Sequence, residues 1–359
     1  MDAKVMTKRI GLMRRRLAEK GIKCLLLTKP ANVTYVTGFS GEDSWAVVVK
    51  RAVYLVTDSR YTEQAHGECV NCKIIQRTGS LAEAVANLVK KLKMVRTVSV
   101  EDAASVAELQ ALKKQVKARL RTVSGVIESV RSIKDNSEVL AIKRAGRIAA
   151  QALKKTVQTI KPGITENDLA GLLDFQIRKL GAINGFPTIV AFGANASRPH
   201  HQPCMRKLKK NDTILIDFGA GYKGYCSDIT RCFIIGRPGS LYKKVYNAVR
   251  QAQQAAIKMI KAGVEITKVD AAARKVIAEH DLPVYGHGTG HGLGLEIHEG
   301  PVVAQKRKGR LKAGEVITIE PGVYIPGKLG VRIEDDILVT RNGCKILSSN
   351  CPYLALPAV

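Results

Sequence analysis

Apolar residues recur with two periods along this chain, and the change from one to the other divides it. Residues 5–20 carry apolar positions on one helical face, and the run CysLeuLeuLeuThr at 24–28 reads as a buried strand. Strands are predicted near 45–49, 52–57 and 97–101, with helices over 59–67, 80–93 and 103–115. That alternation predicts an α/β domain over residues 1–125, a mixed sheet with flanking helices. The boundary falls within 124–136, where AsnSerGlu marks a helix start. Ala141, Ala145, Ile148, Ala149 and Ala152 then share one helical face, and Pro162-Gly163 ends the helix. Thr165 with Asp168 reads as a capping box for a second helix running to Gly181. Two more helices are predicted over 240–262 and 266–281. With hairpins inside and helices outside, residues 126–359 read as an α+β domain whose site lies on the inner face of the sheet.

The hairpins carry the chemistry. Residues 213–219 and 224–235 run or alternate apolar and are separated by Gly219, Gly221 and Gly224. Asp217 and Asp228 then lie on neighbouring antiparallel strands and are expected to face each other across the ladder. Residues 315–320 and 331–339 repeat the arrangement with Glu320 and Glu334, around a connector rich in Pro and Gly. His291 comes from a third segment, GlyThrGlyHisGlyLeuGly. Four carboxylates and one imidazole form a ligand set for two divalent cations side by side. Hard oxygen donors with one nitrogen suit Mn first, with Co, Fe or Zn as alternatives. Without cations, four clustered carboxylates would repel and stay partly protonated.

The remaining composition narrows the setting. The 359 residues are long enough for two domains, and 45% are hydrophobic. The sequence has no stretch of 18 or more apolar residues, so no membrane span is expected. The N-terminus lacks the apolar core of a signal peptide, which makes a cytoplasmic location the expectation. Cys69 and Cys72 form a CxxC, but no second pair completes a zinc ribbon, and a strand rather than a helix is predicted to follow. Free thiols in a reducing compartment are the simpler expectation. The net charge of +27 splits almost evenly, +12 over residues 1–125 and +15 over 126–359. Its densest run, Lys306 to Lys312, reads as a solvated loop. Aromatics are only 5%, so stacking on nucleic acid is not expected, although weak, salt-sensitive binding to polyanions stays open.

The five segments, in this order, resemble the metallopeptidase family of methionine aminopeptidase, aminopeptidase P and prolidase, the pita-bread fold. AlaAsnValThrTyrValThrGlyPheSerGly (31–41) and LeuValThrAspSerArgTyr (55–61) resemble the extra N-terminal domain of aminopeptidase P, prolidase and creatinase. The resemblance spans essentially the whole chain. It implies that Asp217 binds one metal, that His291 and Glu320 bind the other, and that Asp228 and Glu334 bridge them. It also implies that His200 and His298 touch the substrate and stabilise the reacting carbonyl, and that Glu320 shuttles a proton. His287 and Arg332 match substrate-side positions of the Xaa-Pro branch. His201 neighbours His200 without the family spacing.

The implied activity is an Xaa-Pro aminopeptidase, a homodimer that removes the residue before a proline. An Xaa-Pro dipeptidase is the alternative. Archaeal-type prolidases carry an arginine after HisGlu-x-Pro, where this chain has Val302, and this departure favours longer peptides. A metal-free creatinase-like hydrolase and a non-catalytic peptidase-like binding protein complete the set. Both would bind no metal pair, so metal analysis separates them from a metallopeptidase.

Overall fold

The computed structural model describes residues 3–351. It divides into two compact units, one ending at Arg131 and one beginning at Ser132.

In the smaller unit, six strands form one sheet among the described residues, in the order Lys73–Gln76, Val53–Thr57, Trp45–Val49, Cys24–Leu27, Thr97–Glu101, Arg119–Val123. Both Cys24–Leu27 and Val53–Thr57 pair antiparallel with Trp45–Val49, and the remaining pairings are parallel. The sheet is mixed, as its alternating pattern implied. Leu26, Val47, Val56, Val98 and Val100 bury one face against Val85, Leu88 and Val89 of helix Leu81–Lys91 and Leu112 of helix Val106–Gln115. Each such side chain contributes about 1.5–3 kcal/mol by leaving water. Ser80 and Ser105 cap these helices, Ser105 in a capping box with Glu108. The cap at Ser105 moves the start of the helix expected at 103 to Val106. The predicted helix 59–67 is likewise found at Thr62–Glu68. Helix Pro30–Thr37 and strand Arg119–Val123 were not expected. Pro30 opens that helix with its fixed φ, and Gly38, in a left-handed conformation, closes it.

In the larger unit, helices Asn136–Val157 and Glu166–Lys179 start at capping boxes, Asp135 with Glu138 and Thr165 with Asp168. Their apolar faces pack on strands Ile189–Phe192, Thr213–Phe218 and Ile229–Ile234 through Leu153, Leu173, Ile177, Ile214, Ile216 and Phe233. Helices Ser240–Met259 and Ile266–Glu279 pack in the same way on the second set of strands, through Val249, Ala273, Ile317, Val331 and Ile337.

Both hairpins are more broken than the sequence suggested. The first splits into the ladder Thr213–Phe218 with Ile229–Ile234 and a short outer ladder, Ala220–Tyr222 with Tyr225–Cys226. The second splits into Val316–Ile319 with Asp335–Val339 and a separate pair, Gly322–Ile325 with Leu329–Arg332. The connector expected at 321–330 is therefore largely strand. The break falls at Pro321, which has no N–H for a ladder. Glu320 and Glu334 lie just outside the strands at this break.

Candidate active site and metal centre

The expected facing of Asp217 and Asp228 is shifted by two residues. Asp217 stands opposite Thr230, and Asp228 precedes the strand that begins at Ile229. Positions 228 and 230 share a strand face, so the two aspartates meet diagonally. Glu320 and Glu334 directly follow and precede the paired residues Ile319 and Asp335, which brings them together at the end of that ladder. His291 lies on strand Gly290–Gly292, next to Val316–Ile319. Gly290 permits this approach: a Cβ there would lie 1.9 Å from the Thr318 carbonyl oxygen.

All five residues line one cavity of about 400 Å³, together with His200, His287, His298, Val302 and Arg332. Asp228, His291 and Glu334 can place one ligand atom each within 4.8 Å of one another. His291 Nε2 lies 3.5 Å from Asp228 Oδ2 and 3.4 Å from Glu320 Oε1. Its Nδ1 donates to the Gly292 carbonyl at 3.0 Å, which leaves Nε2 directed at the carboxylates. Asp217 is turned differently. Its Oδ2 accepts from the Arg332 guanidinium at 2.5 Å, and its buried Oδ1 has no hydrogen-bond partner among the described residues.

The electrostatics are those of crowded acids. Burial raises Asp228 to about 6 and Glu320 to about 7. Burial, with the charges of Asp228 and Glu320, pushes Glu334 well above the carboxylate range. Burial alone would lower His291, but Asp228 and Glu320 outweigh it and hold the imidazole at about 9. Divalent cations would relieve this repulsion, and the donor set of four carboxylates and one imidazole suits them. The unpartnered Asp217 oxygen fits the same reading.

Several supporting residues were not singled out in the sequence. Thr230 donates to Glu334 Oε2 at 2.6 Å and accepts from Arg332 Nε at 3.1 Å. Its place two residues after Asp228 was the available signal. Arg332 also donates to Tyr324 at 2.8 Å and to the Pro199 carbonyl at 3.3 Å. The Tyr324 hydroxyl lies 3.0 Å from His287 Nε2, and His287 Nδ1 lies 2.7 Å from the Gly288 carbonyl. Burial lowers His287 to about 4, so it is neutral, with a proton on Nδ1 for Gly288 and Nε2 free to accept from Tyr324. Behind Glu334, the fully buried Arg231 donates to the Glu334 carbonyl at 2.6 Å and to Asp335 at 2.8 Å. Tyr324 lies on a strand that was expected to be a connector, whereas Arg231 lies on the predicted hairpin strand, where its contact with the Glu334 segment comes from far along the chain.

A buried set of acids around one imidazole, carried on paired hairpins, defines a metal-dependent hydrolase type of site. Residues 141–341 match Metallopeptidase family M24, and residues 9–133 match the Creatinase/Prolidase N-terminal domain. The Xaa-Pro dipeptidase of Pyrococcus horikoshii is 31% identical over 96% of this chain and 97% of its own length. Among solved structures, Xaa-Pro dipeptidase from Bacillus anthracis superposes with a TM-score of 0.93 at 37% identity, covering 98% of this chain and 99% of the other. X-Pro aminopeptidase from Thermotoga maritima gives a TM-score of 0.87 at 35% identity, covering 93% and 97%. The chain belongs to metallopeptidase family M24. It is a metallopeptidase with a creatinase-type N-terminal domain and a pita-bread catalytic domain. Among the described residues, no helix is long and apolar enough to cross a membrane.

Proposed function

We propose that this chain is an exopeptidase that hydrolyses the bond between an N-terminal residue and a following proline, and that it acts on peptides longer than two residues. The observation that carries this reading is the convergence of Asp217, Asp228, His291, Glu320 and Glu334 in one cavity with His200, His287 and His298. The activities for which its relatives are named, Xaa-Pro dipeptidase and X-Pro aminopeptidase, support the proline requirement. The five ligand residues would hold two divalent cations, manganese first, which would supply Lewis acidity and bring the pKa of water towards neutrality.

The chain's own groups do the rest. His298 stacks edge-on to His291 with ring centroids 4.4 Å apart. Burial and the nearby His291 and His200 lower its pKa, so it is a neutral donor for the developing oxyanion. Glu320 carries a proton to the leaving nitrogen, which in a bond before proline belongs to a tertiary amide without N–H. His200 and His287 form walls for the substrate, and Arg332 holds Asp217 and Tyr324 in place.

Val302 supports the preference for longer peptides. It lines the cavity and stands directly across the ladder from His291. With no cation there, a dipeptide's C-terminal carboxylate would be desolvated beside acids of like charge. The four hydrogen bonds of Arg332 to Thr230, Pro199, Tyr324 and Asp217 commit its guanidinium to the site itself. Dipeptidase activity is the second reading, favoured by the names of two of these relatives. Turnover of Xaa-Pro dipeptides, Xaa-Pro-Yaa tripeptides and proline-free tripeptides with added Mn tests both. Faster cleavage of dipeptides selects the second reading, and cleavage without proline overturns both.

A further inference from the structure

The segment that brings Pro199 and His200 to the cavity wall leaves strand Ile189–Phe192 and makes a 3-10 turn over Gly193–Ser197. One buried carboxylate, which is not among the cavity-lining residues, gathers both ends of this segment. Glu166, the first residue of helix Glu166–Lys179, is 0% exposed. Its Oε1 accepts from the Phe192 backbone N–H at 2.7 Å and from the Asn195 amide at 2.9 Å. Its Oε2 is 2.8 Å from His201 Nε2 and accepts from the Cys204 backbone N–H at 3.2 Å and the Cys204 thiol at 3.0 Å. His201 is itself buried and directly follows His200. On the cavity side, the same segment meets Arg332 at the Pro199 carbonyl. The loop is thus pinned from behind by Glu166 and from the front by Arg332.

We propose that Glu166 is the positioning residue for His200, acting through His201 and the backbone of residues 192–204. The proposal rests on reading His200 as a side chain that touches the substrate. An ionised carboxylate with five donors fixes these groups more tightly than a neutral amide does, because hydrogen bonds to a charged acceptor are the stronger kind. Glutamine at this position would oppose its own N–H₂ to donors that now meet an oxygen. A displacement of the loop by roughly 1 Å is enough to cost on the order of a hundredfold in rate.

The test is a double-mutant cycle in the full-length, metal-loaded enzyme, with an Xaa-Pro-Yaa tripeptide as substrate. Glu166→Gln is expected to lower kcat/KM by about tenfold with metal content unchanged. In the His200→Ala background, the same substitution should cost less than about twofold, because the group it positions is gone. Equal losses in both backgrounds, no loss in the wild-type background, or release of metal would each overturn the proposal. If Glu166→Gln does not fold by thermal unfolding, His201→Phe, which keeps the carboxylate, replaces it in the cycle under the same criteria. If His200→Ala alone leaves turnover unchanged, the reading of His200 fails and the proposal fails with it. If His200→Ala is impaired but the cycle shows no coupling, only the role given to Glu166 fails.

Discussion

Among the described residues of the larger unit, two clusters bring carboxylate and histidine together, Glu166 with His201 and Cys204, and Asp228 with His291 and Glu334. Each places its potential ligand atoms within 4.8 Å of one another. Proximity alone therefore does not distinguish them. The supply of protons around the oxygens does. Burial disfavours the charge on Glu166, but hydrogen bonds from Cys204, His201, Phe192 and Asn195 outweigh it and hold the carboxyl below its usual range. The positive end of a helix adds to this. Around Asp228 and Glu334 the donors are fewer, the His291 imidazole 3.5 Å from Asp228 and the Thr230 hydroxyl on Glu334, and burial with the neighbouring acids drives both upward. The first cluster has donors enough to be content with protons. The second crowds buried carboxyls with too few donors, so they hold on to their own protons, and divalent cations would take the place of those protons. A metal centre is thus recognised by crowded acids whose protonation burial favours, more than by spacing.

The largest expected effect comes from removing one of those acids. Glu334→Gln or Asp228→Asn should abolish measurable turnover and cut the metal bound per chain, since disturbing even the residues behind a ligand costs about 10–100-fold. Elemental analysis that finds both metals retained, with near-normal rates, would break the comparison. Next comes His298→Ala, which should lower kcat by about a hundredfold, the scale of one oxyanion donor, with metal content intact. Loss of metal on this substitution would show His298 to be a ligand.

A smaller shift is expected from adding charge. Val302→Arg places a cation opposite His291 and should raise dipeptide turnover relative to tripeptide turnover by about tenfold, the worth of one charge-assisted contact. An unchanged ratio would mean that the carboxylate finds its partner elsewhere. The smallest effect is at the contrasting cluster. Cys204→Ser keeps an O–H donor to Glu166 and should change activity by no more than about twofold. In cobalt-loaded protein it should leave the absorption spectrum unchanged. A thiolate-to-cobalt band that vanishes in this variant would mean that the Glu166 cluster also binds metal, and the distinction drawn here would fail.

The contrast also shows how far the sequence could be read. Asp217, Asp228, His291, Glu320 and Glu334 stood out because each lies in a short apolar or glycine-rich segment of the chain. The helix starts at Asn136 and Glu166 were legible because capping is local, set within four residues. Glu166 itself read only as a helix-start residue, because the donors it binds arrive from 26 to 38 positions away. His201, adjacent to His200 in sequence, is buried against Glu166, while His200 lines the cavity. Arg332 was expected beside the substrate, and its guanidinium is engaged with Asp217, 115 positions distant. The strands Gly322–Ile325 and Leu329–Arg332 hid among prolines and glycines that signal turns.

By itself, the sequence determined the inventory: which acids and histidines are present, the two architectures, the capped helices and the hairpins that pair the acids. These follow from local periodicity, from backbone propensity and from charge, all of which act within a few residues. Only the tertiary structure decided which acids are crowded and which are well supplied with donors. The burial that raises Glu334 and the hydrogen bonds that satisfy Glu166 are both made by groups distant along the chain. Desolvation and donor geometry are properties of the packed interior, and no window of sequence contains them.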